Sequence, residues 1–149
     1  MKVNIDGSFG AQVNKEGTGA VLRDSDGKII FTSCSYLDQC YSALEAELLA
    51  FKTGIVLSLQ WTLLPLIVET DCLVAIHMLQ ADGEDKSDLA FLVREVKYLL
   101  AGIREIKIVK GHRDQNRVSH LLANKARCES ILDFWPENTC NFISHFVRE

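Results

Sequence analysis

The sequence predicts one α/β domain, in which an antiparallel opening passes into alternating helices and strands. Three observations predict it. Two-residue alternation marks a strand over residues 2–9, and residues 18–24 and 29–37 read as two more. A helical apolar period runs from about residue 42 to residue 60, and shorter helical stretches follow. The joining segments are short, and no repeat or linker interrupts a chain of 149 residues, the size of one ordinary domain.

Each element has a local cause. Val3, Ile5 and Phe9 oppose Asn4, Asp6 and Ser8, which makes a first strand. Residues 10–17 read as a loop, 18–24 as a second strand, and Ser25-Asp26-Gly27-Lys28 as a hairpin turn before a third. Ser42 is a helix N-cap with Glu45 as capping-box partner, and Leu44, Leu48, Phe51, Ile55 and Leu59 form the buried stripe. Pro65 leads into a fourth strand over 65–71, and a short helix covers 73–80. Ser87 caps a helix that runs to about Leu100 on Leu89, Leu92, Val93, Val96 and Leu99, and Gly102 ends it. Residues 104–110 alternate again, and Asn116 or Ser119 opens a last helix to about Glu129. The tail from Leu132, with Phe134, Trp135, Phe142 and Phe146, is apolar enough to pack on the domain. Trp61 and Trp135 read as packing residues.

Composition bounds the function. The chain is 48% hydrophobic and 24% charged, as in globular proteins. No apolar run approaches the roughly 20 residues that span a bilayer, and the start, Met-Lys-Val-Asn-Ile-Asp, has no apolar signal core. No membrane association and no targeting segment are expected. The cysteines number five, an odd count without a C-x-x-C pair. Free thiols in an intracellular, reducing compartment are expected, and a zinc site is not. The net charge of −4 argues against broad binding to phosphate backbones. Lys107, Lys110, His112, Arg113 and Arg117 nevertheless form a local basic stretch, which reads as a phosphate-contacting edge or as a solvated face.

The chemistry concentrates on acids. Asp6 lies on the first strand, Glu47 on the long helix and Asp71 at the end of the fourth strand. A strand returning through a helical crossover lies parallel to the first and beside it. Such a switch point is where open α/β sheets place their sites. Carboxylates converging there suit divalent-metal phosphodiester chemistry, because Mg2+ takes hard oxygen ligands and paired ions about 4 Å apart activate water and steady the leaving oxygen. Two neighbours compete for these roles. Glu45 points about 200° around the helix from Glu47 and suits the cap, and Glu69 sits earlier on its strand than Asp71.

Asn-Ile-Asp-Gly-Ser-Phe, Gly-Thr-Gly-Ala-Val-Leu-Arg-Asp, Ala-Glu-Leu-Leu-Ala-Phe-Lys-Thr-Gly and Glu-Thr-Asp-Cys follow in order within residues 2–128. Together they resemble the ribonuclease H-like superfamily, above all the plant reverse-transcriptase-like ribonuclease H domains. The resemblance implies a five-stranded mixed sheet ordered 3-2-1-4-5 with helices on both faces, formed by residues 1–131, with 132–149 as a tail packed on it. It also implies Mg2+- or Mn2+-dependent cleavage of RNA in RNA–DNA hybrids, and a monomer is expected. Asp6 matches the aspartate that bridges both ions, and Glu47 and Asp71 match two further ligands. Val109-Lys110-Gly111-His112 is similar to the segment that brings a histidine to the scissile phosphate, so His112 is expected to assist proton transfer or product release. Ser8, Lys110, Arg113, Asn116 and Arg117 are the expected nucleic-acid contacts.

At the family's fourth ligand, an aspartate, this chain has His120, as many plant members resembling it do. Imidazole is a poor ligand for Mg2+ and suits Mn2+ better. The expectation is a two-metal site whose second position is weakened, with His120 either a weak ligand or a packed residue without metal. Three readings stay open: a ribonuclease H-type endonuclease, a catalytically weak or inactive module that binds nucleic acid or protein, and a phosphohydrolase of small substrates.

Overall fold

Alternation along the first strand sorts its side chains between two cores. Val3 and Ile5 join one, while Asn4, Asp6 and Ser8, also buried, face the opposite side of the sheet. The structure, a computed structural model, describes residues 1–147; residues 148–149 of the expected tail lie outside the described residues. The elements are β1 (Lys2–Gly10), β2 (Lys15–Arg23), β3 (Ile29–Leu37), α1 (Ala43–Trp61), β4 (Leu66–Thr70), α2 (Leu73–Gln80), α3 (Ala90–Leu100), β5 (Ile106–Lys110), α4 (Arg117–Glu129) and β6 (Asp133–Pro136). A 3-10 turn (Asn141–Ile143) and a last helical turn, α5 (Ser144–Val147), complete them.

The sheet runs β5-β4-β1-β2-β3-β6. The order 3-2-1-4-5 is present, extended by one strand at the β3 edge. β1 pairs antiparallel with β2 and parallel with β4, so the switch point lies between β1 and β4. The larger core lies between the sheet and α1, α2 and α3, around Ile5, Leu22, Phe31, Phe51, Ile55 and Val68. The second lies under α4 and the tail, around Val21, Val118, Leu122, Ala126, Cys140 and Ile143.

Several boundaries differ from the sequence reading, those of β4 and β5 by one or two residues. β2 starts at Lys15 rather than at 18, because Lys15, Glu16 and Gly17 pair with Gly10, Phe9 and Ser8 across a tight turn. Two charged side chains and a glycine hide this from a periodicity argument. α3 starts at Ala90, since Ser87 spends its hydroxyl on Asp85 and on the Leu89 N–H. The tail supplies β6, whose Phe134 packs 5.1 Å from Trp61 and 5.2 Å from Phe31, ring centre to ring centre. At the α1 start, Ser42 Oγ accepts from the Glu45 N–H as expected, but Glu45 reaches back to the Tyr41 N–H, one residue before the cap.

Glycines set how closely the helices sit. A Cβ on Gly7 would stand 2.5 Å from Ala46 O and 2.6 Å from Glu47 N, so α1 lies directly on β1 there. A Cβ on Gly19 would stand 2.8 Å from Ala123 N and 2.9 Å from Leu122 Cβ, and one on Gly17 would stand 2.6 Å from Arg127 N. Gly17 and Gly19 pair with Ser8 and Asp6 across the sheet. Their bareness lets α4 descend onto the face that carries those two side chains.

Candidate active site

Pairing between β1 and β4 ends at Asn4 and Glu69, and Asp6 lies just past that last pair. Asp71 follows the end of β4, where Thr70 Oγ1 accepts from the Cys72 N–H and turns the chain into α2. Glu47 enters from α1, with Oε2 accepting from the Gly7 N–H at 3.3 Å. Asp6, Glu47 and Asp71 thereby place one carboxylate oxygen each within 4.8 Å of one another. The competing acids are engaged elsewhere. Glu45 caps α1, while Glu69 pairs with Lys2 at 3.1 Å and accepts from Asn4 Nδ2 at 3.2 Å.

Three anionic groups this close repel one another, and burial makes the repulsion costly. Burial, then the charges of Asp6 and Asp71, push the Glu47 carboxyl up to about 9. Burial also raises Asp6, to about 6, against the lowering effect of His120. At neutral pH Glu47 therefore holds a proton until a cation replaces it. A set of hard oxygen donors, Asp6 buried and Glu47 and Asp71 half-buried, with unrelieved mutual repulsion fits Mg2+ or Mn2+ and does not fit a soft metal.

This has a consequence for stability. Both folded-state values lie above those of ordinary carboxyls, so the folded protein binds more protons than the unfolded chain between pH 4 and 9. Stability present at low pH is lost as pH rises, by up to about 1.4 kcal/mol per pH unit for each such group. Glu16, buried beside Cys40 and pushed up by burial to about 7, adds to the same trend. In EDTA, Tm is expected to fall from pH 5 to pH 9. Mn2+ should raise Tm by an amount that grows with pH, and Glu47→Gln should flatten the fall. A thermal melt series reads all three, and a metal-induced rise independent of pH would contradict this assignment.

The remaining expected residues divide. Lys110 pairs in register with Thr70, so the β5 end carries the exposed side chains of Lys110, His112 and Arg113 beside the strand that leads to Asp71. His112 is held through its backbone N–H to Gln115 Oε1 and its carbonyl to Asn116 N–H, and lies outside the carboxylate group. Arg117 is exposed but stacks over Phe146, 4.8 Å from the ring centre. Asn116, read as a nucleic-acid contact, is 1% exposed, with its Nδ2 donating to Ile5 O at 2.8 Å and its Oδ1 accepting from Ser119. Ser8 is 8% exposed and bonded to Asn124 and Arg127. Both side chains bond within the protein and tie α4 to the sheet. His120, read as a metal ligand, lies outside the metal-competent group and meets Asp6 Oδ2 through Nδ1 at 2.7 Å.

Sequence reasoning passed over Asn4, Asn124 and Arg127. Asn4 ties β1 to Glu69 and Asn116, and Arg23 donates to it. Asn124 and Arg127 stand four and seven residues after His120, one helical face, a spacing that could have singled them out.

Comparison with known proteins agrees with this architecture. The family described as reverse transcriptase-like matches residues 4–126. An Arabidopsis thaliana protein, named provisionally as a ribonuclease H protein, is 30% identical over 126 residues, which are 85% of this chain and 20% of that protein. The chain thus spans about a fifth of that relative's length. RNase H1 of the halophilic archaeon Halobacterium salinarum superposes with a TM-score of 0.78 at 20% identity, over 86% of this chain and 97% of that one. The N-terminal RNase H domain of a Mycobacterium tuberculosis protein gives 0.76 at 19%, over 87% and 94%. LC11-RNase H1, isolated from compost and solved in complex with an RNA/DNA hybrid, gives 0.74 at 17%, over 87% and 97%. The chain belongs to the reverse transcriptase-like family, and its fold is that of the ribonuclease H structures it superposes on.

Proposed function

We propose that this protein is an endonuclease that hydrolyses the RNA strand of RNA–DNA hybrids with a divalent metal. The observation that carries the reading is the convergence of Asp6, Glu47 and Asp71 at the switch point of this family's fold. The names of its relatives, and the hybrid bound by LC11-RNase H1, support the substrate class.

Asp6, Glu47 and Asp71 would hold the cation. When bound, it supplies a Lewis acid that polarises the phosphate and a lowered pKa for its water. The chain's own residues do the rest. Glu47 would give up its proton to solvent on loading, and the cation would balance the negative charge that the three carboxylates crowd together. Lys110 and Arg113, exposed at the β5 end, contact backbone phosphates, and Arg117 joins them from the first turn of α4. His112, exposed at the start of the same loop, would deliver a proton to the leaving oxygen or assist product release. Discrimination of hybrid from duplex DNA requires contacts to 2′-hydroxyls and to the hybrid's shape.

The test is a substrate panel. End-labelled RNA–DNA hybrid, duplex DNA and single-stranded RNA are incubated with the protein in Mg2+ and in Mn2+. Cleavage confined to the RNA strand of the hybrid is expected, with Mn2+ at least as effective as Mg2+. Equal cleavage of single-stranded RNA, or none of any substrate in either ion, would overturn the proposal.

A further inference from the structure

We infer that His120 is a positioning residue for Asp6, at the end of a one-directional hydrogen-bond relay, and that the carboxylate site holds one divalent ion. The inference rests on the metal site proposed above and specifies its stoichiometry.

The relay begins at Arg127. Its Nε–H can only donate, and it reaches Ser8 Oγ at 2.8 Å. The Ser8 hydroxyl keeps one hydrogen to give, and Asn124 Oδ1 receives it at 2.6 Å. That contact orients the amide, so Asn124 Nδ2 faces His120 Nε2 at 3.1 Å. An amide nitrogen has no lone pair to offer, so Nε2 must accept. The ring hydrogen then sits on Nδ1, which donates to Asp6 Oδ2 at 2.7 Å.

With Ser8 donating to Asn124 Oδ1, the relay runs in one direction from Arg127 to Asp6. Neither imidazole nitrogen keeps a free lone pair: Nε2 gives its own to Asn124, and Nδ1 carries the hydrogen. Ligation by His120 would have to break the Asn124 contact at Nε2 or the Asp6 contact at Nδ1. The geometry agrees, since the metal-competent group is Asp6, Glu47 and Asp71 without His120. Asp6 meets the imidazole with Oδ2.

The fold is built for this contact. Asp6 and Ser8 point to one face of β1, and His120, Asn124 and Arg127 lie along one face of α4. Gly19 and Gly17, opposite Asp6 and Ser8, allow the two faces to meet. Where a fourth carboxylate would attract a second cation, this chain places an N–H that fixes the aspartate of the first.

Two measurements test this. In the metal-free wild-type protein, long-range 15N–1H spectra should show His120 Nδ1 as the hydrogen-bearing nitrogen and Nε2 as the bare one. In an EPR titration with Mn2+, the wild type should bind one ion per chain. His120→Asn, whose amide can still donate to Asp6, should also bind one, and His120→Asp should bind two. Two ions on the wild type, or a hydrogen on Nε2, would overturn the inference while leaving the proposed function standing. Failure of every variant to bind Mn2+ would overturn the metal reading itself, and the inference with it.

Discussion

Gly19→Ala should destabilise the protein by on the order of 3 kcal/mol or more and remove α4 from its seat on the sheet. The added Cβ would stand 2.8 Å from Ala123 N and 2.9 Å from Leu122 Cβ, with Ser119 O closer still. Backbone supplies two of those three neighbours, so no side-chain rotation relieves the crowding. α4 must rise or the β1–β2 pairing must bend. Either movement parts His120 and Asn124 from Asp6 and Ser8, so the loss of stability and the loss of the site should coincide. Gly10→Ala is the comparison. Its Cβ would meet the Arg127 guanidinium at 3.1 Å and a Val13 methyl at 3.3 Å, both movable ends of side chains, and should cost about 1 kcal/mol or less. Urea midpoints for the two variants decide the matter. Equal, mild effects would mean that α4 is not seated on the bare backbone of β2.

The fold was legible because its strands and helices announce themselves by period. Val3, Ile5 and Phe9 alternate, and the Leu44-to-Leu59 stripe is helical. The order of these elements leaves few topologies once a crossover must return parallel to the first strand. β6 was not legible. Asp133-Phe134-Trp135-Pro136 has no alternation, and it is a strand only because β3 presents an open edge and Trp61 and Phe31 receive Phe134. Within the site, helical geometry separated Glu47 from Glu45, and strand position separated Asp71 from Glu69.

The surroundings of those acids were less visible. Asn116 and Ser8 look like surface polar residues in a list of motifs, yet both are buried and bonded inside the protein. Their partners come from more than 110 positions away for Asn116 with Ile5 and for Ser8 with Asn124. No local pattern encodes such pairing. His120 illustrates the same limit. Its residue type suggests a ligand, and only the neighbours on both sides of the ring show that its nitrogens are spoken for. The glycines of Gly17-Thr18-Gly19 stood in a recognisable motif, but their physical purpose emerged only with α4 in place.

Hybrid cleavage by the wild type beside Asp71→Asn tests the central claim most directly. Asn preserves the size and hydrogen-bonding shape of Asp71 but removes its charge from a site whose chemistry depends on that charge. Asp71 follows β4 and is not part of either hydrophobic core, so folding should survive the change. Single-turnover cleavage of a labelled RNA–DNA hybrid in Mn2+ should fall by at least about a hundredfold, with Tm in EDTA and hybrid binding retained. Cleavage at the wild-type rate by Asp71→Asn would show that the converging carboxylates are not the active site.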